Sequence, residues 1–192
     1  MKRTLWGLGA LLLVGLVSLG VRYAQVRSAA RLWEGPVEEI LSERLEKRTD
    51  TMEVEFSSRV DAPTAAVFAA FTEPERLREF ADNVRHSKLL ADARDRKVVE
   101  IEMVTLGQPQ HFVMEFLFLP DERAVRVRTV ESPFADVSGE YRFSPSPDGT
   151  KTLLRYRGTV TDKTDRPVPL ALQKSAVRET FVATVRALKK RL

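Results

Sequence analysis

Cysteine is absent from the 192 residues. That excludes disulfides, thiolate metal sites, a cysteine nucleophile and an acylated lipoprotein cysteine. Histidine occurs twice, as His86 and His111. No metal-ligand spacing, phosphate-cradling glycine loop or GxSxG nucleophile elbow is present. The sequence therefore assigns no catalytic residue, no metal site and no cofactor. Acidic residues are missing from one stretch only. Residues 1–31 hold five of the 31 basic residues and none of the 27 acidic ones, leaving 26 against 27 and a net charge of −1 for residues 32–192. The excess of basic charge, +4 overall, thus belongs to the N-terminus and not to the folded part, the opposite of a nucleic-acid-binding domain. No nucleic-acid partner is expected.

What is present begins with an uncharged apolar run from Leu5 to Val21, preceded by Lys2 and Arg3. As a helix it spans about 25 Å, close to the hydrocarbon thickness of a bilayer, and Arg22 can snorkel to extend it. Trp6 and Tyr23 stand where interfacial aromatics belong. Residues 1–26 read as a single-pass membrane anchor. The rival reading is a cleaved signal peptide, with Ser28-Ala29-Ala30 or Val21-Arg22-Tyr23-Ala24 as cleavage candidates, although the apolar run is longer than most signal cores. Basic residues flank both ends, so the positive-inside rule does not orient the segment. Residues 27–49 read as a juxtamembrane helical linker. Within it Val37, Ile40, Leu41 and Leu45 form an apolar stripe after Pro36, a helix that either rests on membrane or domain or pairs with a second copy.

From Met52 the period changes to two. Met52, Val54, Phe56, Ser58 and Val60 alternate with charged and polar residues, the mark of a half-buried strand. Asp61-Ala62-Pro63 opens a short helix, Thr64 to Phe71. Thr72-Glu73-Pro74-Glu75 has capping-box spacing and opens a second, through Phe80, that buries Leu77 and Phe80. Six strands follow at roughly 84–91, 97–106, 111–119, 124–130, 136–144 and 151–161, too closely spaced to be anything but antiparallel. After Arg166-Pro167 the period returns to 3.6 in an amphipathic helix, with Leu170, Val177, Phe181, Val185, Leu188 and Leu192 in one stripe. The expected fold is α+β: a seven-stranded antiparallel sheet wrapped on a long C-terminal helix, with two short helices after the first strand, in a domain of residues 50–192.

Strand alternation sorts the side chains between two faces. One carries opposite charges on adjacent strands. A sheet order that places the first strand beside the last sets Glu53 and Glu55 near Arg155 and Arg157, and Glu115 near Arg126 or Arg128. The other face is rich in Phe and Met. It reads either as a packed core or as the wall of a cavity under the helix, lined by Met103, Phe112, Met114, Phe116, Phe118, Tyr141, Tyr156, Val177 and Phe181. His111 falls on the outward face with Glu115, and His86 stands within reach of the cavity mouth.

Three stretches resemble the START-like or SRPBCC superfamily, and within it the polyketide cyclase and coenzyme Q-binding group. They are Val60-Asp61-Ala62-Pro63 with Val67-Phe68, the run Gly139-Glu140-Tyr141-Arg142-Phe143 leading into Pro147-Asp148-Gly149-Thr150, and the terminal amphipathic helix. The likeness covers residues 50–192 and departs from the quinone-binding pattern at the charged stretch Thr72 to Phe80. It implies a helix-grip fold and a hydrophobic small-molecule partner such as a lipid, a quinone or another isoprenoid. The resulting expectation is a membrane-tethered binding or carrier module. A cyclase or dehydratase-type enzyme, with Tyr156, Tyr141 or His86 as the polar group, and a protein-interaction module like the superfamily's chaperone-activating branch are the alternatives.

Overall fold

The computed structural model describes residues 32–35, 38–164 and 168–192. Residues 32–34 form a helical turn in a unit that ends at Pro36, and a second compact unit spans Val37–Leu192. The expected anchor, residues 1–26, lies outside the described residues. Among those described, no helix is long and apolar enough to cross a membrane.

The second unit is one antiparallel sheet gripping one long helix. Its strands are β1 (Ser42–Arg48), β2 (Thr51–Val60), β3 (Val84–Ala93), β4 (Arg96–Thr105), β5 (Gln108–Leu119), β6 (Ala124–Glu131), β7 (Ala135–Pro145) and β8 (Thr152–Asp162). Helix α1 (Thr64–Phe71) and a short 3₁₀ helix (Pro74–Glu79) separate β2 from β3, and α2 (Leu170–Arg191) closes the chain. The sheet runs β1-β2-β8-β7-β6-β5-β4-β3.

The sheet has eight strands rather than seven, and the eighth replaces part of the expected linker helix. Ser42–Arg48 is extended and pairs with β2 from Ser42↔Ser57 to Arg48↔Thr51 through a turn at Thr49 and Asp50. Two causes favour the strand. Without it β2 would leave a row of backbone donors and acceptors open at the sheet edge. The helical stripe also contains only one inward position of the strand, Leu45, which packs against the core opposite Val54. The flanking inward residues Glu43 and Lys47 are charged and reach α2 instead, Glu43 to Arg178 at 3.2 Å and Lys47 to Gln173 at 3.4 Å. Polar contacts to a helix leave no apolar alternation, so the strand is silent in the hydropathy pattern.

Elsewhere local chemistry explains the elements. Helix α1 follows Pro63 and buries Val67, Ala70 and Phe71. The expected capping box does not form. The Thr72 hydroxyl donates to the Ala69 carbonyl at 2.7 Å, closing α1 rather than opening the next helix, and Pro74 then sets the first position of the 3₁₀ helix. Leu77 and Phe80 pack on a small core of Ala81, Val84, Val99, Ile101 and Ala187. The larger core joins β2 and β5–β8 to both helices, with Val67, Leu154, Val125 and Val185 fully buried. The last turn of α2 carries Lys189, Lys190 and Arg191, cations that suit its carbonyl end. Lys190 pairs with Asp82 at 2.6 Å, while Arg191 donates to the Ala70 carbonyl at 2.8 Å and lies over the Phe80 ring.

The outer face matches the charge argument. Arg157 meets Glu55 at 3.0 Å, Arg128 meets Glu115 at 2.6 Å, and Arg126 meets Glu140 at 2.9 Å. His111 is also on this face, as expected, 2.9 Å from Glu100 on β4.

Candidate functional site

Between the sheet and α2 lies a cavity of about 350 Å³. Its hollowness has a cause in the helix. Along the face that α2 turns to the sheet, Ala176, Thr180 and Thr184 recur every four residues, with Ala187 beyond them. These small side chains cannot fill the space that Phe181 and Val185, one position further round, fill completely. Phe181 stacks on Phe56 with ring centroids 4.6 Å apart and holds the helix off the sheet. The two threonine hydroxyls turn back to their own helix, Thr180 to the Ala176 carbonyl at 2.9 Å and Thr184 to the Thr180 carbonyl at 3.0 Å. Their protons are thereby spent inside α2.

The walls are apolar along most of their length. Met103, Phe112, Met114 and Phe116 come from β4 and β5, Val137 and Tyr141 from β7, Tyr156 and Val160 from β8. Phe71, Leu77 and Phe80 close one end. At the other, Thr105 and Leu106 of the β4–β5 hairpin stand with Gln110, Asp162 and Gln173. Leu106 keeps a left-handed backbone (φ 51°) and an exposed side chain. That conformation belongs to the two-residue hairpin turn it forms with Gly107 (φ 76°) between the paired Thr105 and Gln108.

Eight of the nine residues expected to line a cavity do so: Met103, Phe112, Met114, Phe116, Tyr141, Tyr156, Val177 and Phe181. Phe118 does not. It pairs with Val125 and is buried in the larger core, past the point where α2 leaves space. His86 is exposed on the edge strand β3 and is not part of the cavity wall. Sequence reasoning missed the helix threonines and alanines that make the space, although their four-residue spacing was visible. It also missed Gly139 and Gly158, which pair across β7 and β8.

The two phenols differ. Tyr141 has the Thr184 hydroxyl as its hydrogen-bond partner. Burial pushes its pKa up to about 12, a rise partly offset by that bond. Tyr156 is raised further, first by burial and then by the neighbouring Tyr141, whose ring centroid is 4.6 Å away. Both remain protonated donors at neutral pH. The charged groups on the wall are acidic and engaged. Glu73 is paired with Arg76 at 3.0 Å and with Arg191, and Asp162 accepts from Thr164 and Gln173 at 2.7 and 3.1 Å. No lysine or arginine is among the described wall residues.

This arrangement defines a class of protein: a helix-grip domain with an apolar cavity between its sheet and its terminal helix. Residues 51–192 match the family of polyketide cyclases/dehydrases and lipid transport proteins, and the chain belongs to that family. No curated protein matches the chain. Solved structures share the fold at low identity. An aromatase/cyclase, ZhuI, from Streptomyces sp. R1128 is 17% identical with a TM-score of 0.65, covering 73% of this chain and 92% of its own. A START superfamily protein from Mycobacterium smegmatis is 16% identical with a TM-score of 0.61, covering 72% and 95%. A STAR-related lipid transfer protein from Xanthomonas axonopodis is 17% identical with a TM-score of 0.58, covering 77% and 97%.

Proposed function

We propose that this chain is a binding or carrier module for one neutral hydrophobic molecule, such as a quinone, another isoprenoid or a lipid chain, held between the sheet and α2. The observation that carries this reading is the hollow interior. About 350 Å³ of apolar-walled space lies within the range of small-molecule pockets, whereas a module working only through its outer face needs a filled core. Neutrality follows from the wall. An enclosed anion would lack a cationic partner and meet Glu73 or Asp162 at the ends, at a cost of several kcal/mol. The apolar N-terminal segment supports a further part of the proposal, that the domain is tethered to a membrane. Such ligands partition into bilayers, and a tether raises the local concentration of one for the other.

The test is a binding series of matched chain length on the full chain: a neutral isoprenoid quinone, a fatty acid and a phospholipid. The quinone is expected to bind most tightly, with any charged head of the others left outside. Tight binding of the phospholipid with its phosphate enclosed, read from phosphorus NMR protection against aqueous paramagnets, overturns the neutral-ligand reading. Failure of every member to bind favours an interaction module.

A further inference from the structure

An apolar chamber selects poorly among apolar molecules, because one methylene more or less changes affinity only modestly. Selectivity comes from polar groups left without partners inside it. Two such groups stand out among the described wall residues. The Thr105 hydroxyl, near the β4–β5 hairpin tip, is buried and makes no hydrogen bond. Tyr156, near the middle of β8, is 8% exposed, and its hydroxyl has no hydrogen-bond partner among the described residues. The Tyr141 hydroxyl, by contrast, is already bonded to Thr184.

The setting of Tyr156 is unusual. Gly139 and Gly158 face each other across β7 and β8, and the phenol lies over both. A Cβ on Gly139 would stand 2.5 Å from the Tyr156 hydroxyl oxygen, and one on Gly158 would stand 2.6 Å from it. No side chain fits there, so the glycines are required by close approach rather than by backbone angle. The ring therefore lies along the sheet floor, its hydroxyl carried one inward position along β8 toward Val160. Contact with the tilted Tyr141 ring on one side restrains it. The result is a protonated donor fixed in place and open only to the chamber.

We propose that Tyr156 is the anchoring hydrogen-bond donor of the chamber, and that its ligand carries a carbonyl or similar acceptor oxygen at the point fixed by the Gly139–Gly158 pair. This rests on the apolar-ligand reading above and narrows it. A plain hydrocarbon leaves the Tyr156 hydroxyl unpaired, whereas a ketone, quinone or ester oxygen satisfies it. Preference for such a ligand over its hydrocarbon counterpart comes from one neutral hydrogen bond, roughly 3- to 10-fold in affinity.

The experiment uses the full chain with 2-acetylnaphthalene and 2-ethylnaphthalene, which differ by a carbonyl in place of a methylene. The wild type is expected to bind the ketone several-fold more tightly, and the infrared carbonyl stretch of the bound ketone is expected below its value in dry hydrocarbon. Tyr156→Phe, which keeps the ring on its glycine floor, is expected to bring the two affinities together and return the stretch to the hydrocarbon value. Binding of the ethyl compound checks that the chamber is intact in the variant, and the wild-type spectrum stands without it. An unshifted carbonyl in the wild type overturns the inference, as does a ketone preference that survives in Tyr156→Phe and so belongs to Thr105. In both cases the apolar-ligand reading stands, because both probes bind. If neither probe enters the wild type, that reading fails and the inference with it.

Discussion

Phe116 and Phe181 show how one residue type serves two ends. Both line the chamber, but Phe181 is 3% exposed and stacked on Phe56, whereas Phe116 is only partly buried and touches both cores from the chamber wall. Truncating Phe181 removes a packed ring and undoes the spacer that sets the height of α2. Phe181→Ala is expected to cost about 3–5 kcal/mol of folding stability in urea denaturation. Phe116→Ala enlarges a space that already exists and is expected to cost clearly less, its main effect appearing as faster release of bound ligand. Equal losses of stability for the two would show that the chamber closes in solution. The distinction between these residues is not in the sequence. Alternation places a side chain on the inner face, but whether that face meets helix or empty space depends on what α2 carries opposite. Phe118 was misplaced for that reason, and Ala176, Thr180 and Thr184 were overlooked because small residues in an amphipathic stripe look like gaps in the pattern rather than its purpose.

At the scale of elements, strands with apolar alternation and turns with glycine or proline were legible, and β1, whose one apolar inward residue, Leu45, is flanked by Glu43 and Lys47, was not. Turn chemistry is the most local of these signals, and the hairpin between β7 and β8 shows it well. Asp148 accepts from the Ser146 hydroxyl, from the Thr150 backbone N–H at 3.1 Å and from the Thr150 hydroxyl at 2.8 Å, while Gly149 takes the left-handed conformation (φ 73°). Those bonds, the Ser146 hydroxyl first, hold the carboxyl pKa down to about 2 from an ordinary 3.8. A lowered pKa means the unfolded chain binds the proton more readily, so the charged form stabilises the fold fully above about pH 4. That contribution fades as the pH falls from about 4 toward 2. Asp148→Asn keeps the shape and loses the charge. The wild type is expected to be the more stable at pH 7, and the gap is expected to narrow as denaturation is repeated below pH 4. A gap that stays constant with pH would mean that the turn needs the side-chain shape and not its charge.

At the scale of the whole molecule, the order of elements carried the fold, because only a few topologies let six closely spaced strands and one long helix share a core. The placement of β2 beside β8 could be tested in the sequence alone by its charges, and Glu55 with Arg157 bears it out. The same reasoning separates the N-terminal segment from the domain. Residues 1–26 contribute none of the alternation that builds the sheet, and the compact unit begins only at Val37. Among the described residues, the larger core draws on β2, both helices and the strands from β5 to β8. We therefore predict that a chain lacking residues 1–26 keeps the melting temperature and ligand affinity of the full chain but leaves the membrane fraction for the supernatant. Mass spectrometry of the N-terminus in the membrane fraction of the full chain then tells a retained anchor, which starts at Met1 or Lys2, from a cleaved signal, which starts after Ala24 or Ala30. Loss of folding on removing residues 1–26 would mean that the segment packs against the domain, and the tether would then have a structural role in place of a purely spatial one.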